Sequence, residues 1–249
     1  MTPPSANPVL ETRDLSMHFG GVAAVDGVNF RLADRELRCL IGPNGAGKST
    51  FFNCLTGMLT PTSGEIHLKG ENVAGWDPHR IARLGVGIKT QTPSVMDGLD
   101  VYENVWLAAQ RLHTNKAAKA KTGKTLSRLG LDNIANELVG QLAHGERQRV
   151  ELAMVMATDP WLVLLDEPAA GMTGEEISVM IDLIREINQG AAIIIVEHDM
   201  QFIRAIAETV TVFHQGKVLI EDHVDVVMND IQVRDVYLGK NQGAGAAKP

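Results

Sequence analysis

Cysteine, surplus positive charge and long apolar runs are scarce or missing in this sequence of 249 residues. The two cysteines, Cys39 and Cys54, fall within apolar stretches, so we interpret both as small buried residues and predict no disulfide. Lysine and arginine number 23 against 30 aspartate and glutamate residues, and the net charge of −7 argues against a general nucleic-acid binder. We therefore expect no nucleic-acid partner.

Segments that would direct the chain into or across a membrane are also missing. No apolar run approaches the roughly 20 residues of a membrane-spanning helix. Residues 1–8 are rich in proline and lack the charged start and apolar stretch of a signal peptide. Since 45% of the residues are apolar, the chain can build a globular core, and its length suits one domain with a subdomain. We therefore expect a cytoplasmic protein.

A glycine-rich loop with a lysine provides the strongest functional signal. It follows a short apolar strand predicted at Leu37–Ile41 and leads into a helix predicted from Ser49 to Met58. In such a loop the backbone N–H groups point at nucleotide phosphates, and the helix N-terminus adds positive partial charge. Lys48 would reach the β- and γ-phosphate oxygens, and Ser49 would hold a bridging Mg²⁺ ion. The loop matches G-x-x-x-x-G-K-[ST] with Gly42, Pro43, Asn44, Gly45, Ala46, Gly47, Lys48, Ser49 and Thr50.

Two carboxylates follow a second apolar strand, predicted at Leu162–Leu165. In nucleoside triphosphatases with this type of loop, a carboxylate at a strand end completes the Mg²⁺ shell, and Asp166 is our candidate. Glu167 would face the γ-phosphate and polarise the attacking water. A third apolar strand, predicted at Ile193–Val196, leads to His198, which we expect to stabilise charge in the transition state.

The remaining pattern predicts an antiparallel layer and a largely helical middle. Alternating stretches predict antiparallel strands, whereas the three apolar strands suit a parallel sheet buried on both faces. A capping box at Thr173–Glu176 opens an amphipathic helix, Asp77-Pro78 opens a shorter one ending near Gly85, and residues 92–158 show no convincing strand. A turn at Gln215-Gly216 predicts a C-terminal hairpin. The antiparallel strands are predicted at Val9–Arg13, Leu15–Phe19, Val28–Leu32 and Glu65–Leu68, and the hairpin strands at Val210–Phe213 and Val218–Ile220.

Four further segments, taken with this loop and these carboxylates, resemble the ATP-binding subunits of ABC transporters. The sequence LAHGERQR at residues 142–149 is similar to the family signature, L-S-G-G-Q, at the start of a helix. Gln91 resembles the Q-loop glutamine, Ala170–Thr173 the D-loop, and Phe19 the aromatic residue on which adenine stacks. The resemblance implies a role for Gln91 in catalysis and in Mg²⁺ binding. It also implies that ATP is contacted across a dimer by Ala143, His144, Gly145 and Glu146.

The resemblance implies an α/β fold of a particular kind. It has a RecA-like P-loop core with a mixed sheet, an N-terminal antiparallel β layer and an inserted α-helical subdomain. We place the ATPase domain at residues 9–240, with the core at 9–91 and 159–240 and the helical subdomain at 92–158. Residues 1–8 and 241–249 are predicted to be flexible tails.

Three positions depart from the common family pattern. Ala143 replaces the signature serine and cannot bond the γ-phosphate, Glu146 replaces glutamine, and Thr90 stands where an aromatic residue is frequent. Variants of the form L-[SA]-[HY]-G-[EQ] resemble one subgroup, the ATPases of importers for branched-chain amino acids, amides and urea. The C-terminal residues 236–239 also look like that subgroup. We expect recognition of ATP in trans to be weakened but retained.

The resemblance implies a mechanism that depends on partners. Two ATPases, identical or different, would enclose ATP and Mg²⁺ between the phosphate-binding loop of one and the signature segment of the other. Closure of this dimer would switch a membrane permease, with the ATPase held at the inner face of the membrane, and a solute-binding protein would deliver the solute. We expect branched-chain amino acids as the solute.

Several alternatives stay open from the sequence. A urea or short-amide importer fits the same motifs, and an ABC exporter or a soluble ABC ATPase with non-transport partners is more distant. A small GTPase would need an N-K-x-D stretch to select guanine. The Asn-Lys pair of this chain, Asn115-Lys116, continues with two alanines and does not match.

Overall fold

A computed structural model describes residues 8–91 and 94–238, with the backbone alone for Leu238. Gly239, the start of the predicted helical subdomain at 92–93 and nearly all of the two predicted tails lie outside the described residues. The chain divides into two compact units. The first includes the described residues 8–33, 37–76 and 196–238, and the second includes 34–36 and 77–195. Within the described ranges, no helix is long and apolar enough to cross a bilayer.

An antiparallel sheet of four strands forms the N-terminal part of the first unit. Its strands are β1 (Leu10–Phe19), β2 (Val22–Leu32), β4 (Ser63–Leu68) and β5 (Glu71–Asn72), in the order β2-β1-β4-β5. Apolar side chains of these strands, including Leu15, Val28 and Ile66, are buried. The predicted antiparallel layer is therefore present.

The prediction of two separate strands at residues 9–13 and 15–19 was wrong, because β1 continues through both. Asp14 has a φ of 46° and donates its backbone N–H to Asn29 Oδ1 at 3.0 Å. The pairing of β1 with β2 shifts between Thr12 and Leu15. Asp14, with its left-handed backbone, interrupts the alternation of buried and exposed side chains along β1 without ending the strand. In the sequence this interruption looks like a turn between two strands.

A mixed sheet forms the remaining β structure of the first unit. In it β3 (Leu37–Ile41) pairs in parallel with β9 (Thr209–His214), and β9 pairs antiparallel with β10 (Lys217–His223), as the predicted hairpin requires. Helix α1 (Lys48–Leu55) follows β3, and its Phe51 ring packs against Phe30 and Phe213 at centroid distances of 5.5 and 5.1 Å. The later helices are α7 (Met200–Ile206), α8 (Val224–Asn229) and α9 (Ile231–Leu238).

The second unit combines three strands with five α-helices and two short 3₁₀ helices, Asp132–Ile134 and Val139–Gln141, among its described residues. The strand β6 (Val86–Lys89) pairs in parallel with β7 (Leu162–Asp166), which neighbours β8 (Ala192–Val196). The helices are α2 (Pro78–Arg83), α3 (Val101–Gln110), α4 (Asn115–Arg128), α5 (His144–Met156) and α6 (Gly174–Asn188). As predicted, α2 begins at a proline and α6 begins with the complete Thr173–Glu176 capping box. From residue 94 to 158 the described chain forms no strand beyond an isolated bridge between Asp100 and Leu138.

A buried ion pair joins β6 to α5. Lys89 Nζ lies 3.4 Å from Glu151 Oε2, and both side chains are 3% exposed. Glu151 Oε1 also accepts a hydrogen bond from the Ser94 N–H at 2.7 Å. The Glu151 carboxylate therefore contacts the chain on both sides of Gln91.

Candidate functional site

The loop between β3 and α1 contains glycines in conformations that other residues rarely adopt. Gly42, Gly45 and Gly47 have φ values of 147, 78 and 105°. A β-carbon on Gly42 would collide with the carbonyl of Phe213, and one on Gly47 would collide with the carbonyl of Ala24. Glycine is therefore required at Gly42 and Gly47, both because φ is positive and because another backbone carbonyl lies too close for a β-carbon.

The N-terminus of α1 is suited to an anion. No side chain in the described chain caps this helix, and its first turn contains no acidic residue. Its first N–H groups are not used within the helix and give this end a positive partial charge. Ser49 is exposed and Thr50 is half-buried, so this end of α1 is accessible from outside. The arrangement is the one that binds phosphate at helix N-termini.

The ammonium group of Lys48 lies against its own loop. It donates hydrogen bonds to the carbonyl oxygens of Gly42 at 2.6 Å and Pro43 at 3.2 Å. Pro43, Asn44, Gly45 and Ala46 line one side of a cavity of about 490 Å³. A cation and a row of N–H donors on one loop form a site for a polyphosphate.

Two other predicted site residues belong to the same unit. Phe19 ends β1 with 48% of its surface exposed, so its ring is accessible to a stacking partner. His198 follows β8, and its side chain is 64% exposed. The buried carboxylate of Glu197 accepts hydrogen bonds from the N–H groups of His198 at 2.9 Å and Asp199 at 3.3 Å. The strand end therefore holds the backbone of His198 while leaving its imidazole accessible.

The predicted carboxylates lie in the second unit, at the end of β7. Asp166 is the last residue of the strand and is half-buried. Glu167 follows with a φ of 47°, an unusual value for a residue with a side chain, and such outliers cluster at functional sites. Gln91 Nε2 donates a hydrogen bond to Glu167 Oε2 at 3.1 Å, across 76 positions of sequence. The structure thus brings together two of the residues that we predict to be catalytic.

The signature segment forms the N-terminus of α5. Ala143 occupies the N-cap position, and Glu146 Oε2 accepts a hydrogen bond from the Ala143 N–H at 3.1 Å. Because alanine has no acceptor, only this half of a capping box exists, and the N–H groups of the first turn receive no bond from the N-cap side chain. The departures at Ala143 and Glu146 therefore leave backbone donors available at this end of α5.

The signature helix also contacts the start of α6, which we did not predict. A β-carbon on the buried Gly145 would collide with the carboxylate of Glu176. The backbone N–H and hydroxyl of Thr173 donate to this carboxylate at 2.8 and 2.9 Å and lower the pKa of Glu176. Glu176 thus places an anionic group beside Gly145. The capping-box spacing revealed Glu176 as a cap, but no local pattern indicates its contact with α5.

Other residues of the site also escaped the sequence analysis. We predicted no role for Glu197, although its carboxylate accepts the hydrogen bonds that hold that strand end. Asp199 accepts hydrogen bonds from the N–H groups of Gln201 and Phe202 and so caps α7, which an Asp three residues before an apolar position could have indicated.

Comparison with known proteins finds one family and many relatives. The model of the family described as ABC transporter matches residues 25–170. The high-affinity branched-chain amino acid transport ATP-binding protein BraF of Pseudomonas aeruginosa is 35% identical, over 94% of this chain and 99% of its own length. The protein of the same description named LivG, from Escherichia coli strain K12, is 36% identical over the same shares of both chains.

A solved structure supports the same fold. The ADP conformation of MJ1267, an ATP-binding cassette of an ABC transporter, superposes with a TM-score of 0.86 and 23% identity. The match covers 93% of this chain and 99% of that one. The predicted fold class, a P-loop core with an antiparallel β layer and inserted helices, is confirmed by this likeness and by the elements described above.

Proposed function

Because the chain belongs to the ABC transporter family, we propose that its ATP hydrolysis powers an importer for branched-chain amino acids. The single observation that supports this solute is the similarity to BraF and LivG, which extends over 94% of the chain. The chain is an ATPase that binds nucleotide. Its relatives BraF and LivG are described as transport ATP-binding proteins.

We assign the chemical roles as follows. The loop from Gly42 to Thr50 binds the phosphates, with Lys48 on the β- and γ-oxygens, and Phe19 stacks on adenine. Ser49, Asp166 and Gln91 hold Mg²⁺, and their hydroxyl, carboxylate and amide oxygens are the hard ligands that this ion prefers. Bound Mg²⁺ would neutralise phosphate charge. Glu167 polarises the attacking water, and His198 stabilises the charge that develops on the γ-phosphate.

The proposed transporter contains a second ATPase subunit and a permease. Ala143, His144, Gly145 and Glu146 contact ATP bound to the partner ATPase, so two subunits close around nucleotide. The partner is a second copy or a related ATPase. Closure is coupled to a permease at the inner face of the cell membrane, which receives solute from a solute-binding protein. No nucleic acid takes part.

The enzymatic part of the proposal is tested with the purified full-length chain. Glu167→Gln should reduce the kcat for Mg-ATP by about 100-fold or more, because the amide cannot accept a proton from water. The exposed Glu208 provides a matched control, since Glu208→Gln removes the same charge from a site outside the proposed machinery. Equal kcat values for Glu167→Gln and wild type would refute the role of Glu167.

The solute is tested by uptake in cells that carry Glu167→Gln in place of the native residue. Loss of labelled leucine uptake alone supports a branched-chain amino acid importer. Loss of labelled urea uptake alone would replace our proposal with a urea importer, which the Gly171-Met172-Thr173 segment fits equally well. If both persist, the permease that co-purifies with the chain identifies another solute or an export system.

A further inference from the structure

One imidazole nitrogen links the signature helix to the loop that follows Glu167. His144, the first residue of α5, has its Nε2 atom 2.9 Å from the carbonyl oxygen of Ala170. The next residue, Gly171, has a φ of 73°, and a β-carbon there would lie 3.3 Å from the same nitrogen. The imidazole therefore packs closely against this loop because Gly171 has no side chain.

The same nitrogen has a second neighbour, which determines where the proton is. Gln148 Nε2 lies 3.3 Å from His144 Nε2, while Gln148 Oε1 is buried and has no hydrogen-bond partner among the described residues. A nitrogen that donates to the Ala170 carbonyl cannot also accept from an amide N–H. Because the oxygen and nitrogen of a glutamine amide are interchangeable in assignment, turning the amide places Oε1 toward the imidazole, where it can accept the Nε2 proton.

The loop that accepts this bond is itself short and hydrogen-bonded. The Ala170 N–H donates to the carbonyl of Glu167 at 3.3 Å, and the Met172 N–H donates to the carbonyl of Ala169 at 3.2 Å. Glu167 sits at the start of this turn with a left-handed backbone. A constraint on Ala170 therefore acts on the backbone conformation of Glu167 only three positions away.

We propose that His144 carries a proton on Nε2, shares it between Ala170 O and Gln148 Oε1, and thereby positions Glu167 for hydrolysis. The inference deepens the proposed function and rests on it, because it assigns to a signature residue a second role within its own subunit. His144 acts through Ala170 and is a positioning residue. The contact ties the orientation of the signature helix to that of the hydrolytic carboxylate.

The kinetic test compares two amides that differ in where they place an N–H donor. Glutamine presents its amide nitrogen at about the position of imidazole Nε2, whereas asparagine presents it near the position of Nδ1. We expect His144→Asn to lower kcat for Mg-ATP about tenfold, the effect of one lost hydrogen bond, with KM changed less than twofold. His144→Gln should keep at least half of the wild-type kcat.

Controls separate this inference from the proposed function. The exposed His79 on α2 lies outside the proposed machinery, and His79→Asn should leave both kinetic constants unchanged. Equal kcat values for the Asn and Gln variants of His144, or a change confined to KM, would overturn the positioning role. A wild-type chain that does not hydrolyse ATP would instead contradict the proposed function.

A spectroscopic test needs no activity. Long-range proton–nitrogen NMR correlations distinguish the two imidazole tautomers, and loss of one histidine signal in His144→Gln assigns the residue. We expect a protonated Nε2 in wild type and, in Gln148→Met, a changed Nε2 shift because the second acceptor is removed. An unprotonated Nε2 that accepts from Gln148 would overturn the inference, even in a chain whose hydrolysis is established.

Discussion

At the scale of single residues, Lys48 tests the phosphate-binding loop most directly. Its ammonium donates hydrogen bonds to the carbonyls of Gly42 and Pro43, which belong to the loop that we propose binds the phosphates. We expect Lys48→Ala to weaken Mg-ATP binding by roughly 100-fold, since charge-assisted hydrogen bonds contribute up to about 3 kcal/mol. Isothermal titration calorimetry measures this change.

Lys124 supplies the control for that experiment. It is exposed on α4, so Lys124→Ala removes an equal charge at a distance from the loop in sequence. We expect its Kd for Mg-ATP to match that of wild type. Retained affinity in Lys48→Ala, or an equal loss in both variants, would count against the assignment of the loop.

The two cysteines predict how the protein reacts with thiol reagents. Burial raises the pKa of the Cys54 thiol to about 11, and burial together with the nearby carboxylate of Glu197 raises the pKa of Cys39 well above its usual value. Because the thiolate is the reactive form, a raised pKa means that both thiols stay protonated and slow to react at pH 8. Both are free and buried, as predicted.

Mass spectrometry after brief treatment with iodoacetamide checks this expectation. At pH 8 the folded chain should remain unmodified, whereas in denaturant both cysteines should be alkylated. Rapid labelling of Cys54 in the folded chain, at the rate of a thiol in a peptide, would show that α1 opens far more often than its packing implies.

At the scale of elements, the ion pair between β6 and α5 should stabilise the fold only as a pair. Glu151→Leu leaves Lys89 charged and buried, and such unpaired charges cost about 3–5 kcal/mol. Changing both residues, in Lys89→Met with Glu151→Leu, should recover most of that loss because no charge stays buried. Urea denaturation of the single and double variants measures the free energies of unfolding.

The Ser94 N–H makes that experiment more specific. It loses its acceptor in both variants, so its contribution cancels when the two are compared. Since Ser94 is exposed, water can replace the carboxylate. A double variant as unstable as Glu151→Leu would mean that the hydrogen bonds of Glu151, and not its charge, stabilise this part of the second unit.

The elements that the sequence predicted well have strong local patterns. The runs at β3, β7 and β8 are almost wholly apolar, and Thr173 with Glu176 marks the start of α6. In contrast, β6 was missed because it has only four residues and includes Gly87. A β-carbon on Gly87 would collide with Val155, so the glycine is set by packing against α5, and such packing is invisible in local sequence.

The short helices α8 and α9 were also missed. Each is only six or eight residues long, and Asp230 separates the end of α8 from the start of α9, so no long amphipathic pattern indicates them. In the candidate site too, residues within contiguous motifs were predicted, whereas contacts between residues far apart in sequence were not. Contiguous motifs identified Lys48, Asp166 and His144, but the bonds of Gln91 to Glu167 and of His144 to Ala170 join residues 76 and 26 positions apart.

At the scale of the whole molecule, the proposed mechanism predicts an assembly that depends on nucleotide. Glu167→Gln keeps the size of the side chain and an oxygen for the Gln91 amide, so ATP should bind and remain intact. We expect this variant with Mg-ATP to sediment with about twice the mass of the monomer, since bound ATP joins two subunits.

Two comparisons make the sedimentation result interpretable. At an ATP concentration that just saturates Glu167→Gln, adding Lys48→Ala should return the chain to a monomer, because nucleotide then binds roughly 100-fold more weakly. ADP in place of ATP should do the same. A Glu167→Gln variant that stays monomeric with Mg-ATP and hydrolyses it at the wild-type rate would remove the basis for both the dimer and the role of Glu167.

The hydrogen bonds of Lys48 also make nucleotide binding an exchange of acceptors. The ammonium has three N–H donors and already gives two of them to loop carbonyls, so contact with both a β- and a γ-phosphate oxygen displaces at least one of Gly42 O and Pro43 O. The heat of binding is then the difference between two sets of charge-assisted hydrogen bonds, and it is smaller than a count of phosphate contacts suggests. Water released from the phosphates and from α1 supplies a correspondingly larger, entropic share of the affinity.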